Sequence, residues 1–214
     1  MESRAKQLIQ TIFDVNNPFM LACERILNLF VLNLLFVLTC LPILTIGPAK
    51  IALYGSLKRL HEGQRAGLIS SYLRNFKENL LQGGILGLLE LFVVGFCLLD
   101  LFLLSSQSGP LVQVFQALFI GMLFLTILIF SYVYPLVSQR KLTSKQALKT
   151  SLLLAGLNLP WSLFILGVWL GLGMLLIYNA LTLMMGLSGL LLFGFAVLAY
   201  VHYLIMDAIF KKYQ

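Results

Sequence analysis

The chain has 214 residues, of which 60% are hydrophobic and only 11% charged. Its mean hydropathy is +0.95, whereas soluble domains are about 45–50% apolar and about 25% charged. That leaves too little polar surface for a soluble globule, and it excludes disordered, collagen-like and nucleic-acid-binding classes. The net charge of +7 instead fits lysines and arginines that anchor one face of a membrane protein.

Residues 1–25 read as an amphipathic interfacial segment, with Leu8, Ile9, Ile12 and Phe13 recurring among polar positions at helical spacing. A hydrocarbon core about 30 Å thick takes about 20 helical residues to cross. The first run of that kind is Ile26 to Leu41, reaching at most to Ile46. The stretch Thr45-Ile46-Gly47-Pro48-Ala49 breaks it. Gly47 frees the backbone to turn, and Pro48 suits the first turn of a new helix. That helix ends near Lys58-Arg59. At about 13–15 residues, or roughly 20–23 Å, it is short for a crossing, and it is expected to return as the second arm of a hairpin. Leu68 to Phe76 interleaves Ile69, Tyr72 and Phe76 with Arg74, an interfacial pattern. Two long runs follow, Leu80 to Leu104 and Leu111 to Val137. Thr143 with Gln146 three residues on opens another interfacial helix as a capping box, and Asn158 and Pro160 end it. The last two runs are Leu159 to Tyr178 and Leu181 to Ile205.

The expected fold is therefore all-α. It is a polytopic transmembrane helix bundle of five long spans plus one short helix after the Gly-Pro break, with amphipathic interfacial helices. One integral membrane domain covers 1–214, with the bundle at 26–205 and a cytoplasmic tail at 206–214. Continuous apolar runs without two-residue alternation exclude a barrel.

Positive charges choose among topologies. With five crossings, twelve Lys and Arg fall inside and three outside. If the 42–60 stretch makes a return, fourteen fall inside and Lys50 alone outside. The second count is the more asymmetric. It places both termini in the cytoplasm and the 42–49, 105–110 and 178–182 connections outside.

Glu90 and Asp100 are the only acidic residues inside a span. An intramembrane carboxylate costs at least about 2.5 kcal/mol, which makes each a candidate functional residue. Gly83, Gly87 and Glu90 share one helical stripe, and glycines at that spacing permit close helix contact, so Glu90 is expected to face the bundle. It then serves either as a proton- or cation-coupled site or as a protonated carboxyl in a helix contact. Asp100 lies ten residues on, about 15 Å along the axis, too far for an acid/base pair. Thr45, Gly47, Pro48, Gly83 and Gly87 are the structural motif positions. Cys23, Cys40 and Cys97 form no CxxC pair, and His61 and His202 have no second ligand at helical spacing. No metal site, no cofactor and no catalytic residue is expected. Asn28 and Asn33 suit hydrogen bonding between helices.

Several stretches resemble the YesL family of uncharacterised bacterial membrane proteins. They are Leu41-Pro42-Ile43-Leu44-Thr45-Ile46-Gly47-Pro48-Ala49 with Ala52-Leu53-Tyr54, Tyr72 through Asn79, Tyr132 through Leu136, and Lys145 through Leu154. The resemblance implies a bacterial cytoplasmic membrane. It also implies an association with carbohydrate ABC transporters or their sensors. Two functional expectations follow. One is an accessory or regulatory protein that is not an enzyme and binds a transporter permease or a membrane sensor. The other is a small proton- or cation-coupled transporter or lipid-handling protein, suggested by Glu90 and by the broken helix at Gly47-Pro48. The partners expected are the lipid bilayer and possible membrane proteins of that kind, with no nucleic acid.

Overall fold

A computed structural model describes residues 18–64 and 67–212. Among them the chain is all helix: α1 Pro18–Thr39, α2 Ile46–His61, α3 Leu68–Glu78, α4 Leu80–Leu104, α5 Pro110–Gln139, α6 Ser144–Leu157, α7 Leu159–Ile177 and α8 Ala180–Lys212. A short 3-10 turn, Ile43–Thr45, precedes α2, and a π-helical turn, Leu190–Gly194, interrupts α8. The amphipathic segment expected at 1–25 falls mostly outside the described residues, and Pro18 already belongs to α1. The last run is longer than expected and continues helical to Lys212.

Among the described residues five helices are long and apolar enough to cross a membrane: Met20–Thr39 of α1, then α4, α5, α7 and α8. Their outer faces carry large apolar side chains such as Phe92, Phe102, Leu118, Trp161 and Ile177, all more than half exposed. In a bilayer that surface meets lipid. Helices α3 and α6 are amphipathic and short, and α6 opens with the Thr143–Gln146 capping box. Each combines basic residues with exposed leucine or isoleucine: Arg74 and Lys77 with Ile69 and Leu73 on α3, Lys145 and Lys149 with Leu152 and Leu153 on α6.

The most buried helix is the short one. Ten of the sixteen residues of α2 are buried. It packs against α1, α3, α4, α5 and α8, and Ile51, Tyr54 and Leu57 form one core with Leu32, Tyr72, Leu86, Val133 and Tyr203. A second core joins Tyr132 and Leu136 of α5 to Leu154, Ile165 and Met206.

The 42–49 turn stands elsewhere than the charge count suggested. Gln82 at the start of α4 donates to the carbonyl of Leu142 just past α5, at 2.6 Å, so those chain ends share one end of the bundle. The Gly47-Pro48 backbone meets Gly83 there, and Leu44 approaches Gly84. The 42–49 turn therefore lies with residues 80–84 and 139–142, opposite the 105–109 connection. Helix α2 is not the second arm of a membrane-crossing hairpin. It is a helix seated inside one end of the bundle. Because α1 leads into that turn and spans roughly 33 Å, its Pro18 end lies at the opposite end of the bundle from Lys212, and residues 1–17 lie outside the described ones. The charge count favours an extra crossing because Arg4, Lys6 and Arg25 then join the inner side, whereas Lys50, the one charge that count leaves outside, is paired with Glu90 inside the bundle.

Backbone contact seats α2. A Cβ on Gly47 would run into the carbonyl of Gly83, with the amide nitrogen of Gly87 3.0 Å away, and a Cβ on Gly83 would come within 2.6 Å of the nitrogen of Pro48. No flexible side chain is there to yield. Gly47→Ala and Gly83→Ala are each expected to destabilise at the upper end of the roughly 1–3 kcal/mol of overpacking. Gly95→Ala on the same helix meets nothing within 4 Å and is expected to be silent. Thermal midpoints of the three variants in one detergent check this, and equal midpoints would remove the contact from the account.

Candidate functional site: a charged pair in an apolar cavity

Glycine contact and charge placement are one geometry. Lys50 stands three residues beyond Gly47, and Glu90 three beyond Gly87, so each charge shares a helix face with its glycine. Where the backbones touch, the side chains meet. The Lys50 ammonium donates to Glu90 Oε1 at 3.0 Å and Oε2 at 2.8 Å. The hydroxyl of Tyr134, from α5, donates to Oε2 as well. The Lys50 nitrogen also lies 4.6 Å from the centroid of the Tyr134 ring, within the range of a cation–π contact. Lys50 and Glu90 thus stand in salt-bridge geometry, a partner that the sequence reading did not give to Glu90.

Sequence reasoning missed Lys50, Tyr54, Tyr134 and His202 as members of this site. Tyr54 of α2 and His202 of α8 share a 2.6 Å hydrogen bond between the hydroxyl and Nδ1. His202 is 6% exposed, and its Nε2 has no hydrogen-bond partner. What places His202 is Asn33 of α1, fully buried. Its amide donates to the carbonyls of Leu190 and Leu191 and accepts from the amide of Ala196. A π turn leaves backbone groups of its helix without their usual partners, and Asn33 supplies them.

All four of these residues apart from Asn33, together with Glu90, line a cavity of about 720 Å³. Its walls are otherwise mostly apolar, with Phe36 and Val37 from α1, Ile46 and Leu53 from α2, Ile127 and Phe130 from α5, Trp169 from α7 and Phe195 from α8. Ser131 lines it too. Helix α5 continues through Pro135, and since proline has no N–H, the Ser131 carbonyl lacks its helical donor. Lys50 and Glu90 keep 30% and 21% of their side-chain surface exposed, so the pair is open to the cavity.

The other positions singled out from sequence lie apart from this chemistry. Asp100 does not line the cavity, and its Oδ2 is buried without a hydrogen-bond partner. Thr45 fastens the turn ahead of α2, donating to the carbonyls of Thr39 and Pro42, each at 2.6 Å. Gly47, Pro48, Gly83 and Gly87 form the contact that brings the pair together. Among the described residues no three His, Cys, Asp or Glu side chains gather as metal ligands would. His61 lies against Tyr200 and Tyr203.

Residues 29–101 match a family described as "Protein of unknown function, DUF624". That third of the chain holds the glycine contact, Lys50, Tyr54 and Glu90, and stops short of Tyr134 and His202. No curated protein and no solved structure matches the chain.

Removing one partner of the pair leaves an uncompensated charge, which costs roughly 3–5 kcal/mol when fully buried and less here, given the exposed fractions above. Lys50→Met and Glu90→Gln are each expected to lower the thermal midpoint, and the double variant to recover most of the loss. A double variant as unstable as the sum of the singles would mean that the two side chains do not act as a pair.

Proposed function

We propose that this integral membrane protein handles lipid-like molecules, taking an amphiphile from the bilayer into the cavity between its helices and holding its head beside Lys50 and Glu90. The cavity carries the reading. Its volume lies within the roughly 300–1,000 Å³ of small-molecule sites, and such sites combine apolar walls with a few convergent polar groups. The coupled-transport alternative asks Glu90 to exchange a proton or a cation. Three hydrogen bonds on its carboxylate favour a fixed ion pair instead. Work beside a carbohydrate transporter or its sensor, and membership of the YesL family, are supported by the resemblance of the motifs alone. A bacterial cytoplasmic membrane rests on the same resemblance.

The orientation we propose has five crossings. It puts the 42–79, 140–149 and 211–212 charges, eleven without Lys50, on the cytoplasmic side and Arg4, Lys6 and Arg25 outside. In a background lacking the native cysteines, Cys at Gln107 and at Asn16 should label from outside, and Cys at Lys211 only after permeabilisation. Labelling of position 16 from inside would restore an even number of crossings.

The function is tested by native mass spectrometry of protein released from native membrane, with Val37→Phe placing a ring in the cavity. A co-purifying amphiphile is expected with the unaltered protein, and its occupancy should fall at least about tenfold in the variant at an unchanged thermal midpoint. Equal occupancy in both would move the ligand to the outer, lipid-facing surface and defeat the reading.

A further inference from the structure

The polar wall of the cavity is internally balanced, and that balance selects among ligands. Lys50 has three N–H donors, two of which go to Glu90. The carboxylate has about four acceptor positions, three of them filled by Lys50 and Tyr134. One donor and one acceptor are left, with no net charge. The Tyr54–His202 pair leaves the same remainder in either tautomer. If Tyr54 donates to Nδ1, Nε2 carries a proton to give and the phenol oxygen can accept. If Nδ1 donates, Nε2 accepts and the phenol proton is free. Nε2 is without a partner, and the atom itself is buried, while His202 contributes other atoms to the cavity wall.

We infer that the ligand is an uncharged single-chain amphiphile whose head carries hydroxyl groups. This rests on the cavity reading above and narrows it. A hydroxyl gives and accepts a hydrogen bond at once, which matches the remainder on Lys50 and Glu90, the pair that keeps exposed surface. A charged head finds no unpaired counter-charge. An anion must take Lys50 from Glu90, and a cation must take Glu90 from Lys50, and either leaves one charge of a partly buried pair uncompensated. The chain lies along Phe36, Ile127, Phe130 and Trp169. One chain suits the volume, since about 720 Å³ is the size of a drug-like site.

Trp169 lines the cavity, and Trp161 is the protein's other tryptophan, half-exposed and outside it. Trp161→Phe therefore leaves one reporter. The full chain carrying that change, in phosphatidylcholine nanodiscs, is titrated with three amphiphiles sharing one brominated alkyl chain: a monoacylglycerol, a carboxylate and a trimethylammonium. Saturable quenching of Trp169 is expected for the monoacylglycerol at a concentration at least about tenfold below the other two. Glu90→Gln should turn the preference to the carboxylate, and Lys50→Met to the trimethylammonium. The double variant, with no charge to orphan, should keep the monoacylglycerol preference and guards against a folding loss in the single variants. A charged amphiphile preferred by the protein with both charges intact would overturn the head class while leaving the cavity as a binding site. Preferences unmoved by the single variants would take the head away from the pair. Quenching that never saturates for any of the three would sink the cavity reading itself.

Discussion

Two backbones in contact, Gly47-Pro48 on α2 and Gly83 with Gly87 on α4, set the rest of this structure. Lipid tails are as apolar as leucine side chains, so helices in a bilayer gain little by hiding apolar surface from each other. Close packing through small residues and polar bonds between helices take over. Here the two act in register. The glycines remove the side chains that would hold α2 and α4 apart, and three residues further along each helix a lysine and a glutamate fill the space that opens. Neither charge would be tolerable without its partner. Neither would find that partner if the backbones stood a methyl group further apart.

Polar groups elsewhere in the bundle follow the same economy. The hydroxyls of Thr126 and Ser131 bond carbonyls four residues back in their own helix. Tyr132 reaches Ser162 across to α7 at 2.7 Å, and Thr39 reaches Tyr72 across to α3 at 2.6 Å. Asn33 closes the π turn of α8. Each bond joins two elements or completes one, which is how a chain with few polar residues fixes the relative position of eight helices. The pairing stops short at a few buried atoms, among them Nε2 of His202 and Oδ2 of Asp100.

Much of the scaffold could be read from the residues. Hydropathy located the five long helices to within a few positions, apart from the start of α1 at Pro18 rather than Ile26 and the extension to Lys212. The Thr143–Gln146 capping box and the Asn158 break marked the ends of α6. The spacing of Gly83, Gly87 and Glu90 pointed that face of α4 inward. What periodicity could not supply was the partner across the contact. Lys50 looked like a connection residue because it follows a break and stands in a short helix, and only the meeting of α2 with α4 shows it opposite Glu90. The direction of α2 was not legible either, because Arg4, Lys6 and Arg25 ahead of α1 pull a charge count toward an extra crossing. Tyr54, Tyr134 and His202 come from three helices up to 148 positions apart, and an aromatic or a lone histidine in an apolar run carries no mark of such company.

The order of synthesis gives the Lys50–Glu90 pair a further meaning. Lys50 leaves the ribosome forty residues before Glu90, and α2 is too short and too polar to enter lipid on its own. Until α4 arrives, α2 is left waiting at the membrane surface with its lysine in water. The arrival of Glu90 supplies the counter-charge that lets α2 sink into the bundle, and the same event relieves α4 of a bare carboxylate in hydrocarbon. The pair can therefore form only once α4 has joined α2. A nascent chain in which α2 has not met α4 carries an unmatched acid within its second long helix.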